Sequence, residues 1–521
     1  MDTQKTFRYG KDRLTCGKAL AIARGRMQGI IDQEAARKIF RSRKIVKDII
    51  SGDTAVYGIN TGFGPLCSTR ISNEDTTLLQ HNILKSHSVG VGNPIDSILT
   101  KLMLITKVHA LAFGYSGVSL ETLERLIWHI DNDIIPLVPK QGSVGASGDL
   151  APLAHLFLPL IGHGKVFFEG KLINTKELFA AKALKPITLR AKEGLALING
   201  TQFIAAHAVL AVERMHNCLT HSDLIGAMMI ESLLGSRAPF HPDLHKLRPY
   251  KGNLHVAHRI NHLLFGSQIV DSHIDCGKVQ DPYSLRCIPQ VHGASRTAWL
   301  HLKETTEIEL NSVTDNPVLF EVDHTISGGN FHGQPLAMPL DYASLATSEI
   351  GNISDRRIYL SLSGQTKGVP KLLMKETGVN SAFMMLQYTS AALASENKSL
   401  CFPASADSIP TSLGQEDHVS MGSISGRRLN EIASNVEQIL SIELLCASQA
   451  LDYHNPLKSS PSLSLIHEIV RSKISHAEED RIFHQDIESA HEIIKSAELF
   501  EALVANDEYP VTPLDDLFET F

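Results

Sequence analysis

RRLNEIASNVEQILSIELLCASQALDY, residues 427–453, decides how the rest of the chain is read. The stretch holds no glycine or proline, and Leu429, Ile432, Ala433, Val436, Ile439, Leu440, Leu444 and Ala447 recur at the 3.6-residue period of one helix face. A long amphipathic helix, ended before Pro456, must bury that stripe against partners of similar length.

Such partners are present on either side. Helical patterning predicts helices over Asp96–Leu111, Glu121–Ile134, Thr297–Leu310, Asp341–Leu362 and Ser381–Lys398, the third starting after Gly293 and stopping before the turn signal Thr314-Asp315-Asn316-Pro317. Strand-like runs such as VFFEGKLI, Val166–Ile173, are few. The predicted fold class is mainly α, a long-helix bundle with a smaller, loop-rich N-terminal part. Glycine and turn residues cluster before residue 225, which suggests a soft division into residues 1–225 and 226–521. After Glu478 the tail is polar and acidic, and a loosely packed surface is expected there.

Composition narrows the function classes. The 521 residues are 43% apolar, enough for large cores, and 20% charged with a net charge of -7. Neither half carries a long block of one sign, so a nucleic-acid partner is not expected; a small molecule or a protein is. The N-terminus scatters charge where an export signal would need an apolar centre. Gly194–Val212 is uncharged but contains Asn199, Gly200, Thr201, Gln202 and His207, so it reads as buried protein and no membrane span is expected. Seven cysteines, at 16, 67, 218, 276, 287, 401 and 446, are odd in number and form no CxxC pair. That argues against a disulfide framework or zinc ribbon and favours a reducing cytoplasm.

The chemistry-bearing stretch is QGSVGASGDLAP, Gln141–Pro152. Its Ala146-Ser147-Gly148 centre could be an ordinary glycine-rich turn. It is not a nucleophile elbow, because Asp149 follows Gly148, nor a phosphate loop, because no lysine follows. A third reading is covalent. Attack of the Gly148 nitrogen on the Ala146 carbonyl carbon closes a five-membered ring, and loss of water there and from the Ser147 side chain leaves an exocyclic methylene, a strong electrophile. Gly148 permits the close approach, Ala146 adds little bulk, and Ser147 carries the hydroxyl that leaves. Asp149 stands beside the ring atoms to assist proton transfer. A helix opening at DLAP, with Pro152 in its first turn, would turn its positive end to the ring.

GSVGASGDLAPLAH resembles the signature of the aromatic amino-acid ammonia-lyases, and the resemblance recurs from about Tyr57 to about Met421. It implies that Ala146, Ser147 and Gly148 become a 4-methylidene-imidazol-5-one (MIO) group, with no metal or nucleotide required. It further implies a homotetramer whose active sites combine residues of several subunits. YGINTGFG, Tyr57–Gly64, is similar to the family segment whose tyrosine is the base, a role that falls on Tyr57; the ordinary alternative is a core tyrosine. ALINGTQ places Asn199 against the ring and substrate, where a capping amide is the alternative. VQDPYSLRCIPQ matches at Gln280, Tyr283 and Arg286, with Arg286 implied to clamp the substrate carboxylate. GGNFHG places Phe331 near the prosthetic group.

Two places speak to the substrate. Ser86-His87 resembles the pair found in histidine-acting members, and His87 could hydrogen-bond an imidazole. Glu416, in QEDHVSM, stands where histidine-acting members carry glutamate and the phenylalanine and tyrosine enzymes do not. A buried carboxylate suits an imidazole N–H and would be left unpaired against a phenyl ring. The expected reaction is therefore non-oxidative deamination of L-histidine to trans-urocanate. The alternative is a lyase or 2,3-aminomutase acting on tyrosine or phenylalanine. Cys401-Phe402 and Gly414 depart from the resemblance, where a basic residue and an asparagine are expected. HEIV at His467 and HEII at His491 begin like zinc-protease helices, but Arg471 and Lys495 replace the second histidine, so both read as ordinary helix faces.

Overall fold

The computed structural model describes residues 6–52, 56–62, 64, 71–72, 75–274, 277 and 279–521. Cys67 and Cys276 lie outside them. The described chain is mainly helical, with short two- and three-stranded sheets. It forms two compact units, one of residues 1–210, 302–341 and 403–427, the other of 211–301, 342–402 and 428–521.

The opening stretch falls in the helix Gly422–Asp452, and every one of its eight predicted stripe residues is fully buried. Burial of each large aliphatic side chain is worth roughly 1.5–3 kcal/mol, so this stripe is a leading contribution to the second unit. Gly351 of the helix Gln334–Ser361 allows the close approach, since a Cβ there would lie 3.1 Å from Ile439 Cδ1 and 3.2 Å from Val436 Cγ2. The buried acids of the long helix are paired. Glu437 receives both sides of the Arg214 fork at 2.9 and 2.7 Å, and Arg357 donates to Glu443 at 3.0 Å. Pairing offsets the cost of removing those charges from water.

Three predicted helices appear within a few residues, as Ser97–Ala112, Leu120–Asp131 and Met384–Leu400, while the one expected over Asp341–Leu362 starts seven residues earlier, as Gln334–Ser361, and carries Pro339 inside it. The helix expected to start after Gly293 instead runs through it, as Ile288–Leu310. Gly293 is a contact rather than a stop, because a Cβ on Gly252 would sit 2.1 Å from the Gly293 carbonyl oxygen. VFFEGKLI forms the hairpin Lys165–Phe168 and Lys171–Asn174, with Ile135–Pro136 pairing alongside. Gly194–Val212 is buried apart from half-buried Leu210, and among the described residues no helix is long and apolar enough to cross a membrane.

The expectation of a loose tail is overturned. Residues after Glu478 form the helices Phe483–Lys495, Glu498–Ala505 and Pro513–Glu519, whose Ala490, Ile493, Ile494, Leu499, Leu503 and Phe518 are buried. The acidic composition misled because part of the acid is interior: Glu519 pairs with fully buried Arg259 and, at 3.2 Å, with Arg296. Apolar residues at helical spacing outweigh average polarity.

Candidate active site

In the first unit, the segment Ser143–Asp149 is held from two sides. On one side lie the residues that open the long helix. Met421 N–H donates to the Val144 carbonyl at 3.0 Å, Ser423 Oγ to the Ser143 carbonyl at 2.6 Å and Ser420 Oγ to the Gly145 carbonyl at 3.3 Å. Ala146 is buried with Ala404, Val419 and Met421. On the other side lies the end of the short helix Glu193–Ile198. Asn199 Nδ2 donates to the Ser147 carbonyl oxygen at 3.2 Å, Gly200 N–H donates to the same oxygen at 3.3 Å, and Asp149 N–H returns to the Gly200 carbonyl at 2.8 Å.

Gly148 has φ +77°, and a Cβ would fall 2.1 Å from the Gly200 carbonyl oxygen, so only glycine fits. Asp149 is fully buried. Its carboxylate accepts from Ser143 Oγ at 2.7 Å and from the Phe203 and Ile204 N–H groups at 3.1 and 3.0 Å, where the helix Gln202–Ser232 begins. Burial pushes its pKa up to about 6, against the pull of those hydrogen bonds and of Lys107. Asp149 thus caps that helix from across the Ala146–Gly148 segment. As expected from DLAP, Leu150–Phe157 is helical.

The Ser147 hydroxyl donates to Glu416 Oε1 at 2.7 Å, while Glu416 Oε2 accepts from Thr411 and Ser412 hydroxyls at 2.8 and 3.0 Å. The carboxylate identified from sequence as the substrate discriminator therefore touches the serine. His87, at the end of the helix Thr76–His87, is close enough for Glu416 to act on its charge; burial holds its imidazole below the ordinary range, and the Ile83 carbonyl and Glu416 oppose that. Gly414, where asparagine was expected, has φ +86°, a left-handed position that both residues tolerate.

Tyr57 lies in a loop folded on itself, its hydroxyl accepting from Gly64 N–H at 3.3 Å. It lines a cavity of about 560 Å³ with Asp48, Pro317 and Thr325. Neighbouring Gly58 packs against Leu195, on the helix that carries Asn199. Phe331 is half-buried. Gln280, Tyr283 and Arg286 gather in the second unit: Arg286 Nη2 donates to Gln280 Oε1 at 2.9 Å, its Nε to the Asp281 carbonyl at 3.0 Å, and the guanidinium lies 4.6 Å from the Tyr283 ring centre. Tyr283 is 71% exposed.

Sequence reasoning missed Lys107. In the helix Ser97–Ala112 it is buried, and its Nζ donates to the carbonyls of Asn199 at 2.6 Å and Ala196 at 3.2 Å. Nearby, Lys192 pairs with Asp315 at 2.7 Å, both buried. The available signal was a lysine inside the apolar run LMLITKVHALA. His467 and His491 take structural places, 2.9 Å from Asp452 Oδ1 and within 2.8 Å of Gln438 Nε2.

The Ala146–Gly148 segment fits an internal imidazolone on this structure's own geometry. The backbone position of Gly148 accepts no Cβ, Ala146 packs against buried apolar side chains, and Asn199 Oδ1 is buried without a hydrogen-bond partner among the described residues. A family model for aromatic amino acid lyases matches residues 14–472. A histidine ammonia-lyase from Myxococcus xanthus is 43% identical over 94% of this chain and 97% of its own length. Among solved structures, histidine ammonia-lyase from Trypanosoma cruzi superposes with a TM-score of 0.89 at 38% identity, covering 97% of this chain and 96% of that one. Tyrosine aminomutase from Streptomyces globisporus gives 0.91 at 32% identity, covering 97% and 99%.

Proposed function

The chain belongs to the aromatic amino acid lyase family, and from that premise we propose that it deaminates L-histidine to trans-urocanate and ammonia. It is a carbon–nitrogen lyase. The observation that carries the choice of substrate is the Glu416 carboxylate, held by Thr411 and Ser412 and reaching the Ser147 hydroxyl. An imidazole N–H satisfies such a carboxylate; a phenyl ring offers no donor and leaves Oε1, whose Ser147 hydroxyl is lost on ring closure, unpaired at a cost of roughly 1–3 kcal/mol.

Ala146, Ser147 and Gly148 would hold the MIO group as part of the main chain, and that group supplies an electrophile that draws electron density from the substrate's amine or ring. The remaining tasks fall to side chains. Asn199 Nδ2 and Gly200 N–H hold the Ser147 carbonyl oxygen. Glu416 and His87 orient the imidazole, and Phe331 packs beside the ring-forming segment. Arg286, positioned by Gln280 and stacked on Tyr283, binds the carboxylate. Tyr57 removes the β-proton as ammonia leaves.

We place these residues in a homotetramer with active sites shared between subunits. Exposed Tyr342, Leu345 and Tyr359 on one helix, Met385 and Tyr388 on another, and exposed Tyr283 support a partner copy. A reducing cytoplasm remains the expectation from seven widely spaced cysteines with no CxxC pair. The likeness to a tyrosine aminomutase keeps one alternative, the same electrophile acting on tyrosine or phenylalanine. Incubation with L-histidine, L-tyrosine and L-phenylalanine, followed by ultraviolet detection of product, separates them. Urocanate from histidine alone, abolished in Ser147→Ala, is expected; product only from tyrosine or phenylalanine would overturn the reading of Glu416.

A further inference from the structure

Asn199 C=O and Gly200 N–H belong to one peptide group, and the structure loads both of its ends. Lys107 Nζ donates to the oxygen at 2.6 Å, while the N–H donates to the Ser147 carbonyl oxygen at 3.3 Å. Ring closure between Gly148 N and the Ala146 carbonyl carbon leaves the Ser147 carbonyl as the ring's own carbonyl, conjugated with the methylene made from Ser147 Cβ. Any donor that strengthens its hold on that oxygen makes the methylene more electron-poor.

We propose that Lys107 is a positioning residue that tunes the electrophile, its ammonium polarising the Asn199–Gly200 peptide whose N–H holds the Ser147 carbonyl. The inference rests on the ring-forming reading of Ala146–Gly148. Hydrogen bonds joined in series strengthen one another, most of all in a dry interior. Lys107 is only 2% exposed, and Lys192 takes the nearby Asp315, so the ammonium is directed at carbonyls rather than at an ion pair. Burial lowers its pKa to about 7, with Asp315 and Asp149 opposing that and Lys192 adding to it, so the charged form that polarises the peptide is the form present below that pH. The plain alternative is a cap on the last carbonyls of the helix Glu193–Ile198, which would affect folding alone.

The test compares wild type with Lys107→Gln, which keeps an N–H donor but no charge, and Lys107→Met, which keeps neither. Mass spectrometry of the peptide containing Ala146–Gly148 comes first. Absence of the two-water shortfall in wild type would remove the ring-forming reading itself. With the ring present in the variants, its near-ultraviolet band is expected at shorter wavelength than in wild type, with kcat lowered about 10-fold in Lys107→Gln, more in Lys107→Met, and KM within about 2-fold. A matured ring with wild-type band and kcat in Lys107→Gln would overturn the proposal, and that variant alone decides it should Lys107→Met not fold. A folded variant that never loses the two waters would assign Lys107 to ring formation instead, and would equally overturn it.

Discussion

Gly148 and Glu416 are the residues on which the site can be tested most directly. Gly148→Ala forces a Cβ to 2.1 Å from the Gly200 carbonyl oxygen at φ +77°. We expect no two-water shortfall in its peptide mass and an activity loss of at least about 10³-fold, as for removal of a covalent catalyst. Glu416→Gln keeps the shape held by Thr411 and Ser412 but loses the charge. With histidine as substrate, kcat/KM should fall about 10²-fold, the worth of a charged hydrogen bond. An unchanged value would dissociate Glu416 from the imidazole. Gly148 was legible in sequence because a glycine beside a dehydratable serine has chemical consequences at any placement; Glu416, next to a second acid, Asp417, was legible only through the family resemblance of QEDHVSM. Lys107 was not, because a lysine in an apolar helix reads as one whose stem is buried and whose head reaches water. Here the head is buried too.

At the scale of elements, one acid ties the end of the helix Gly422–Asp452 to the helix Pro461–Lys473 and the turn beyond it. Asp452 lies 2.9 Å from His467 Nε2, 2.6 Å from Arg471 Nη2 and 2.6 Å from His476 Nδ1. Burial alone would raise its pKa, but these partners bring it down to about 2. A depressed carboxyl pKa contributes stability above its ordinary value near 4 and loses it as pH falls through the folded value. Asp452→Asn should therefore cost about 2 kcal/mol near neutral pH, with the denaturant midpoints of variant and wild type converging toward about pH 2. A gap independent of pH would mean that packing, not charge, sets the contribution. Periodicity located the long helix, but not its partners at this end; HEIV already read as an ordinary helix face because Arg471 replaces the second histidine, and the structure adds that His467 faces Asp452.

For the whole molecule, the exposed apolar side chains Tyr342, Leu345 and Tyr359 follow one helix face and are expected to be covered by another copy of the chain. Tyr342→Glu with Leu345→Glu should yield smaller species in sedimentation and an activity loss of about 10-fold or more, since the proposed sites need residues of several subunits. A wild-type tetramer in that variant would direct attention to another face. By itself the sequence determined the mainly α class, the long helices, the family and the Ala146-Ser147-Gly148 triplet proposed to close a ring, because period, residue chemistry and local spacing are properties of the chain. Only the tertiary structure decided that each unit draws on three separate stretches, that the polar tail forms helices with one buried apolar face, and that Ser147 meets Glu416, Asn199 and, through a peptide, Lys107. Those contacts join residues far apart in sequence, and which distant groups share a buried space is fixed by packing, not by local pattern.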